Sequence, residues 1–184
     1  MPINGSRSQP LAASLPVQQG RDLYLAENGF SVAEYDHPRT PASIFGLRFS
    51  VPNTPKHRWA IMLHDLHHVA TGYGTDLAGE GEISAWELRS GLGSLGVYVG
   101  SIVLGGALFG FMFAPRRVLQ AFAQGGSKRA LFDRPDLSYD ALMRMSVAEL
   151  RAELAIPPNG LAQVPRELHS HAPLSVEQAR AEVL

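Results

Sequence analysis

No cysteine occurs in the 184 residues. Its absence excludes disulfides, zinc fingers of the cysteine type and thiol nucleophiles, and it agrees with a reducing compartment. Basic residues are not in excess. Sixteen Lys and Arg stand against 17 Asp and Glu, a net charge of −1, so the charge gives no reason to expect nucleic acid as a partner. Charge of either sign is scarce, at 18% of the chain against about 25% in a usual soluble domain. Together with 45% hydrophobic residues, this scarcity points to contact with lipid or with a large apolar ligand. Internal repeats and convincing strand pairs are missing too. What remains has the length of about one domain, enough to bury roughly 70% of its unfolded surface without staples.

Residues 1–20 hold Ser, Pro, Gln and Gly, with no acid and no apolar core of the kind a secretory signal needs. They read as a disordered tail. Residues 21–158 read as one helical metal- and lipid-binding domain, and residues 159–184 as a C-terminal extension with a short helix. Arg21 to Asn28 is expected to form a helix that stops at Gly29. His37 to Pro55 contains Pro38, Pro41, Pro52 and Pro55 and reads as an irregular, extended connection. Thr54 then caps a helix whose first position is Pro55. It runs through Trp59, Leu63, Leu66 and Val69 to Gly72 and Gly74. A second helix opens at Asp76 or Gly79 and ends near Gly91. Pro115 starts another, which ends at Gly125 and Gly126, and Ser138 caps a short one. Ser146 to Glu149 and Ser175 to Gln178 are capping boxes. The expected class is all-α: a helical bundle with a long apolar, Gly-rich helix beside a metal-bearing helix pair.

That apolar segment runs from Gly91 to Ala114 without a charge. As a helix it spans about 36 Å, against about 30 Å for a hydrocarbon core. Arg89 flanks one end, and Arg116 and Arg117 the other. Gly96 with Gly100, and Gly106 with Gly110, are small-xxx-small pairs that let helix backbones approach. A buried helix lining a lipid channel, a membrane span and a plain core helix are the three readings. Arg116, Arg117, Lys128 and Arg129 suit lipid headgroups. His169 and His171 lie in a Pro-bearing tail.

The ionisable groups gather elsewhere, in HDLHHVATGYGTDLAGE from His64 to Glu80. His64 and His68 are four apart, about 40° from each other around a helix. Asp65 lies on the adjoining flank, and His67 near the other edge. Two imidazoles and a carboxylate at this spacing can converge on one cation. Glu80 can return to them because the glycines of TGYG permit a tight reversal. The metal ligands are thus expected to be His64, Asp65, His68 and Glu80. Such a nitrogen and oxygen set suits zinc, manganese, iron or cobalt. His67, Tyr73 and Asp76 are candidates to support the ligands. Glu87, seven residues beyond Glu80 and on the same helix face, is the candidate acid/base group.

HDxxH, eleven residues, then Glu resembles the metal motif of the coenzyme Q biosynthesis protein four family. GEGEISAWE at Gly79 to Glu87, GGALFG at Gly105 to Gly110 and LRAELAI at Leu150 to Ile156 are similar to further blocks of that family. Together they cover roughly Trp59 to Pro158. The resemblance implies a helical bundle, a divalent metal and a prenylated aromatic ligand. It implies a role in ubiquinone synthesis at a membrane surface: replacement of a ring carboxylate by hydroxyl on a polyprenyl-hydroxybenzoate, a metal-dependent decarboxylation. It also implies scaffolding of the biosynthetic complex, with a second copy of the chain or other pathway enzymes as partners. The location would be cytoplasmic and peripheral to the inner membrane in a bacterium, or the matrix side of the mitochondrial inner membrane in a eukaryote. The apolar segment would line a prenyl channel, with Gly96, Gly100, Gly106 and Gly110 leaving the room. The chain departs from the family at Arg58 to Leu63, before the HD, and at Ala155, where the family has Gly. A paralogue acting on another lipid or secondary metabolite is therefore a further reading.

Overall fold

The computed structural model describes residues 10–44, 47–126 and 129–162. Among them are seven α-helices and one hairpin. Helix α1 is Val17–Glu27, β1 is Arg39–Ile44, β2 is Leu47–Pro52 and α2 is Pro55–Thr71. Then come α3, Leu77–Ser90, α4, Gly96–Phe113, and α5, Pro115–Gly125. Two short helices close the described chain: α6, Tyr139–Arg144, and α7, Val147–Glu153. The fold is predominantly all-α.

The helix ends follow local chemistry. The Thr54 hydroxyl accepts the His57 amide at 3.2 Å, and Pro55 takes the first position of α2, where its missing N–H costs nothing. Asp76 caps α3 by accepting the Gly79 amide at 2.6 Å. Ser146 and Glu149 cap α7 reciprocally. Ala155, just beyond α7, has φ of +50°, a left-handed conformation that costs an L-residue about 1–2 kcal/mol. Glycine, the residue of the resembling family at this position, would adopt it freely.

Two expectations are corrected here. The stretch between His37 and Pro55 is not irregular: β1 and β2 pair antiparallel, with Arg39 opposite Pro52 and Ile44 opposite Leu47. Residues 10–20, expected to belong to a disordered tail, are also built into the fold. Leu15 and Val17 are buried in the core, and Val17 donates its amide to Met145 while Val147 donates to Leu15, both at 2.8 Å. The expected helix at Ser175, the tail histidines and Lys128 lie outside the described residues.

The core is a main cluster, with a small second one of Ala85, Ala107 and Val118 where α3, α4 and α5 meet. Leu63, Leu66 and Val69 from α2 meet Ile83 and Trp86 from α3 and Leu142, Val147, Leu150 and Leu154 from the C-terminal helices. Burying each of these large side chains stabilises the fold by about 1.5–3 kcal/mol. Arg151 is 1% exposed. It ties α7 to the end of α2 by donating to the Ala70 carbonyl at 2.9 Å and to the Pro158 carbonyl at 2.6 Å.

Helix α3 sits between α2, α4 and α5. Glu82 fixes α5 to it, accepting Arg117 at 2.6 and 3.0 Å. The approach of α4 is closer than side chains would allow. A Cβ on Gly110 would lie 2.3 Å from the Gly81 Cα, and one on Gly106 would lie 2.5 Å from the Ser84 hydroxyl. Gly106 and Gly110 therefore serve helix packing and do not line a channel. Gly96 is exposed at the helix start, and a Cβ on Gly100 would rest 3.6 Å from Leu92. Gly106 and Gly110, expected to line a channel, are thus taken up by packing against α3.

Only Val99, Val103, Ala107 and Gly110 of α4 are buried. The helix is long and apolar enough to cross a membrane, yet only 22% of it is buried inside the protein. Val97 is 90% exposed, Met112 71% and Leu108 60%. A core helix would be covered on most sides, so that reading is excluded. The exposed apolar surface is compatible with membrane association.

The close approach makes a prediction. Gly110→Ala should destabilise the protein by about 1–3 kcal/mol through overpacking, lowering Tm by several degrees. Gly105→Ala, whose Cβ would meet open space, should leave Tm equal or higher. Thermal melts followed by circular dichroism decide it, and equal melting of the two variants would contradict the packing.

Candidate metal centre

The site begins with a helix stripe and a tight reversal. Gly72 ends α2 in the left-handed region, with φ of +79°. That turn brings the Tyr73 carbonyl back over α2, 2.9 Å from His68 Nδ1. A carbonyl only accepts, so Nδ1 carries the proton and Nε2 of His68 keeps a lone pair. On the next turn, His64 Nδ1 lies 2.8 Å from Glu87 Oε1. That carboxylate accepts in the same way and turns His64 Nε2 toward His68.

The two Nε2 atoms stand 3.1 Å apart. Glu80, from the first turn of α3, places its carboxylate oxygens 3.5 Å from His64 Nε2 and 3.6 Å from His68 Nε2. His64, His68 and Glu80 each offer a donor atom within 4.8 Å of the others. Ligands about 2.0–2.1 Å from a tetrahedral cation lie roughly 3.3 Å apart. Two nitrogen lone pairs cannot face each other at this distance with nothing between them. The donor set therefore fits a divalent cation, which would replace a proton held there. His68 is buried, whereas the side chains of His64 and Glu80 are 24% and 42% exposed. The centre is thus closed behind and open in front.

Electrostatics follow the geometry. Burial opposes charge on His64, but the Glu87 and Glu80 carboxylates together outweigh it and hold His64 well above the usual imidazole range. Burial pushes His68 down to about 4. Burial would raise Glu87, but His64 and His67 overcome it and bring the carboxyl down to about 2. The pair behind the site is thus a carboxylate with a cationic or metal-bound imidazole in front of it.

The expected residues divide as follows. His64, His68 and Glu80 come together. Asp65 stands outside this group: its carboxylate accepts the Tyr35 hydroxyl, and burial raises its carboxyl to about 6. Its expected place among the ligands is corrected accordingly. Glu87, expected as an acid/base group beside a substrate, is fully buried and bonds two histidines instead. His67 Nδ1 lies 2.7 Å from Glu87 Oε1, and its Nε2 accepts the Leu131 amide at 2.9 Å. Both ring nitrogens are therefore occupied, which fixes His67 as the neutral Nδ1–H form and keeps it off the cation. Tyr73 supports the site through its carbonyl, while its hydroxyl donates to Gln124 at 2.5 Å. Asp76 is spent on capping α3. Sequence reasoning missed Tyr35 behind Asp65, and Tyr24 of α1, whose ring stacks on His68 at 5.0 Å. Neither has a local signal, because each contact joins segments at least 30 residues apart.

The chain matches no known family profile, no curated protein and no solved structure.

Glu87→Gln keeps the volume and removes the charge that orients His64. It should weaken zinc or cobalt binding about 10–100-fold. Competition against a chromophoric chelator measures this, and wild-type affinity in the variant would remove Glu87 from the centre.

Proposed function

We propose that the protein is a ubiquinone-biosynthesis-like enzyme of the coenzyme Q biosynthesis protein four type, carrying out metal-dependent oxidative decarboxylation of a polyprenylated hydroxybenzoate. The observation that carries this reading is the convergence of His64, His68 and Glu80 into a three-donor group open on one side, beside a largely uncovered apolar helix. The resembling motif has the donors in this order, and a prenylated ring acid needs both features.

His64, His68 and Glu80 would hold a divalent ion. When bound, that ion supplies a Lewis acid that steadies the negative charge developing on the ring and its oxygens. The protein's own groups do the rest. Glu87 and the Tyr73 carbonyl aim the two imidazoles, so little reorganisation accompanies binding. The half-exposed Glu80 leaves an approach for the ring carboxylate. In the overall reaction the bond from ring to carboxyl carbon breaks and carbon dioxide leaves. A carbon–oxygen bond forms at the same ring carbon from water, while dioxygen takes up the two electrons and two protons and leaves as hydrogen peroxide. Val97, Leu108 and Met112 offer the tail or the bilayer an apolar surface, with Arg116 at the helix corner for anionic headgroups. The location that suits this surface is peripheral to a membrane, on its cytoplasmic or matrix side.

The uncovered face of α4 also favours a second reading, a non-catalytic prenyl-lipid carrier that presents quinone precursors to partner enzymes. Turnover separates the two. Metal-loaded protein with dioxygen and a carboxyl-labelled prenylated hydroxybenzoate should release labelled carbon dioxide and yield the ring hydroxyl. His64→Ala should abolish release while helical content is kept. Absence of release by the wild type, with prenyl lipid retained through purification, would leave the carrier.

Membrane binding is checked separately. The wild type should co-float with vesicles containing phosphatidylglycerol. Leu108→Asp combined with Met112→Asp should lose most of that binding while Tm stays equal, because both side chains are exposed and each charge is unfavourable in hydrocarbon. Equal flotation of the variant would move the membrane contact elsewhere.

A further inference from the structure

The chain has five tyrosines, and four of their hydroxyls have partners within the protein. Tyr35 donates to Asp65, Tyr73 to Gln124 and Tyr98 to the Pro52 carbonyl, while Tyr139 accepts from Arg21. Tyr24 differs. Among the described residues, its hydroxyl has no hydrogen-bond partner. A half-buried phenol usually finds one, so what stands near it matters.

Its neighbour is the candidate metal centre. The Tyr24 ring lies over His68 with centroids 5.0 Å apart and planes 21° from parallel. The Tyr73 carbonyl holds His68 in its own plane through Nδ1, and Tyr24 blocks tilting out of that plane. The phenol also interacts electrostatically with Asp65 and Glu80. The Tyr24 ring thus flanks the donor group of His64, His68 and Glu80.

We propose that Tyr24 is a ligand-binding residue of this centre: its ring fixes the plane of His68, and its hydroxyl donates a hydrogen bond to an anionic oxygen that an incoming ligand places on the cation. The chemical class is a carboxylate or phenolate. The hydroxyl is open to water, so an amine or a hydrocarbon offers it nothing that water does not, whereas an anionic oxygen on the cation receives a charge-assisted bond. The inference rests on the metal-site reading above but not on decarboxylation, because it concerns binding alone.

Cobalt serves as both metal and reporter, with 4-hydroxybenzoate as the anionic probe and imidazole as the neutral one. Tyr24→Phe keeps the stacked ring and removes only the hydroxyl. It should bind cobalt as the wild type does and give the same visible spectrum. Its Kd for 4-hydroxybenzoate, read from the change in that spectrum, should rise about tenfold or more, while its Kd for imidazole should not change. Tyr24→Leu removes the stack as well and should also weaken cobalt binding. Equal affinity of wild type and Tyr24→Phe for 4-hydroxybenzoate overturns the proposal. So does a cobalt-loaded wild type that ignores 4-hydroxybenzoate. A wild type that takes up no cobalt overturns the metal centre itself, and the proposal with it. Circular dichroism of both variants checks that they fold.

Discussion

Two imidazole nitrogens, His64 Nε2 and His68 Nε2, face each other at 3.1 Å. Everything around the site can be read as the means of holding them there. Left bare, the lone pairs repel, so the contact persists only with a proton or a cation between them. Glu87 behind His64 and the Tyr73 carbonyl behind His68 fix the Nδ1 protons on the far side of each ring. Glu80 then supplies negative charge next to both Nε2 atoms. Each choice is forced by the donor and acceptor roles of the groups, so the polarity of the site does not depend on how one hydrogen is placed.

The support extends one layer further. His67 is clamped between Glu87 and the Leu131 amide and packed on edge against Trp86 and Phe132. A buried carboxylate that accepts from two rings cannot rotate without breaking both bonds. This rigidity has a cost: Glu87 Oε2 is buried without a hydrogen-bond partner, an arrangement worth about 1–3 kcal/mol in the unfavourable direction. The fold tolerates it because Oε1 orders both His64 and His67.

Much of this was legible because it is local. Helical spacing placed His64 and His68 on one face, and the Thr54, Asp76 and Ser146 caps marked the helices. The turn at Gly72 was readable from its glycines. What escaped depends on distant segments. A helical wheel puts Asp65 100° from His64, but only the packing of the Val32–Asp36 turn shows that its carboxylate meets Tyr35. Glu87 stands out in the sequence only by its position, while its burial comes from packing against His64 and His67 of α2. Tyr24 carries no motif at all. The hairpin was hidden by Pro38, Pro41 and Pro52, since proline argues against strands except at edges. A two-stranded sheet has only edges, so the objection loses its force.

Helix α4 shows why composition misled on one point and informed on another. Its glycines suggested space for a ligand, yet two of them are consumed by contact with Gly81 and Ser84. Small residues on that side let α3 and α4 approach until their backbones touch. The larger apolar side chains are thereby left on the opposite side, with Leu119 and Phe122 of α5 also exposed. Arg89 rests against the Phe122 ring, which places a cation at the margin of this surface. A monomer in water rarely leaves so much apolar area uncovered. The low charge content of the chain is therefore explained less by what it buries than by what it presents. Helix α3 is the common support: it carries Glu80 of a donor group that could hold a metal ion and, on its other side, packs the helices that present the apolar face.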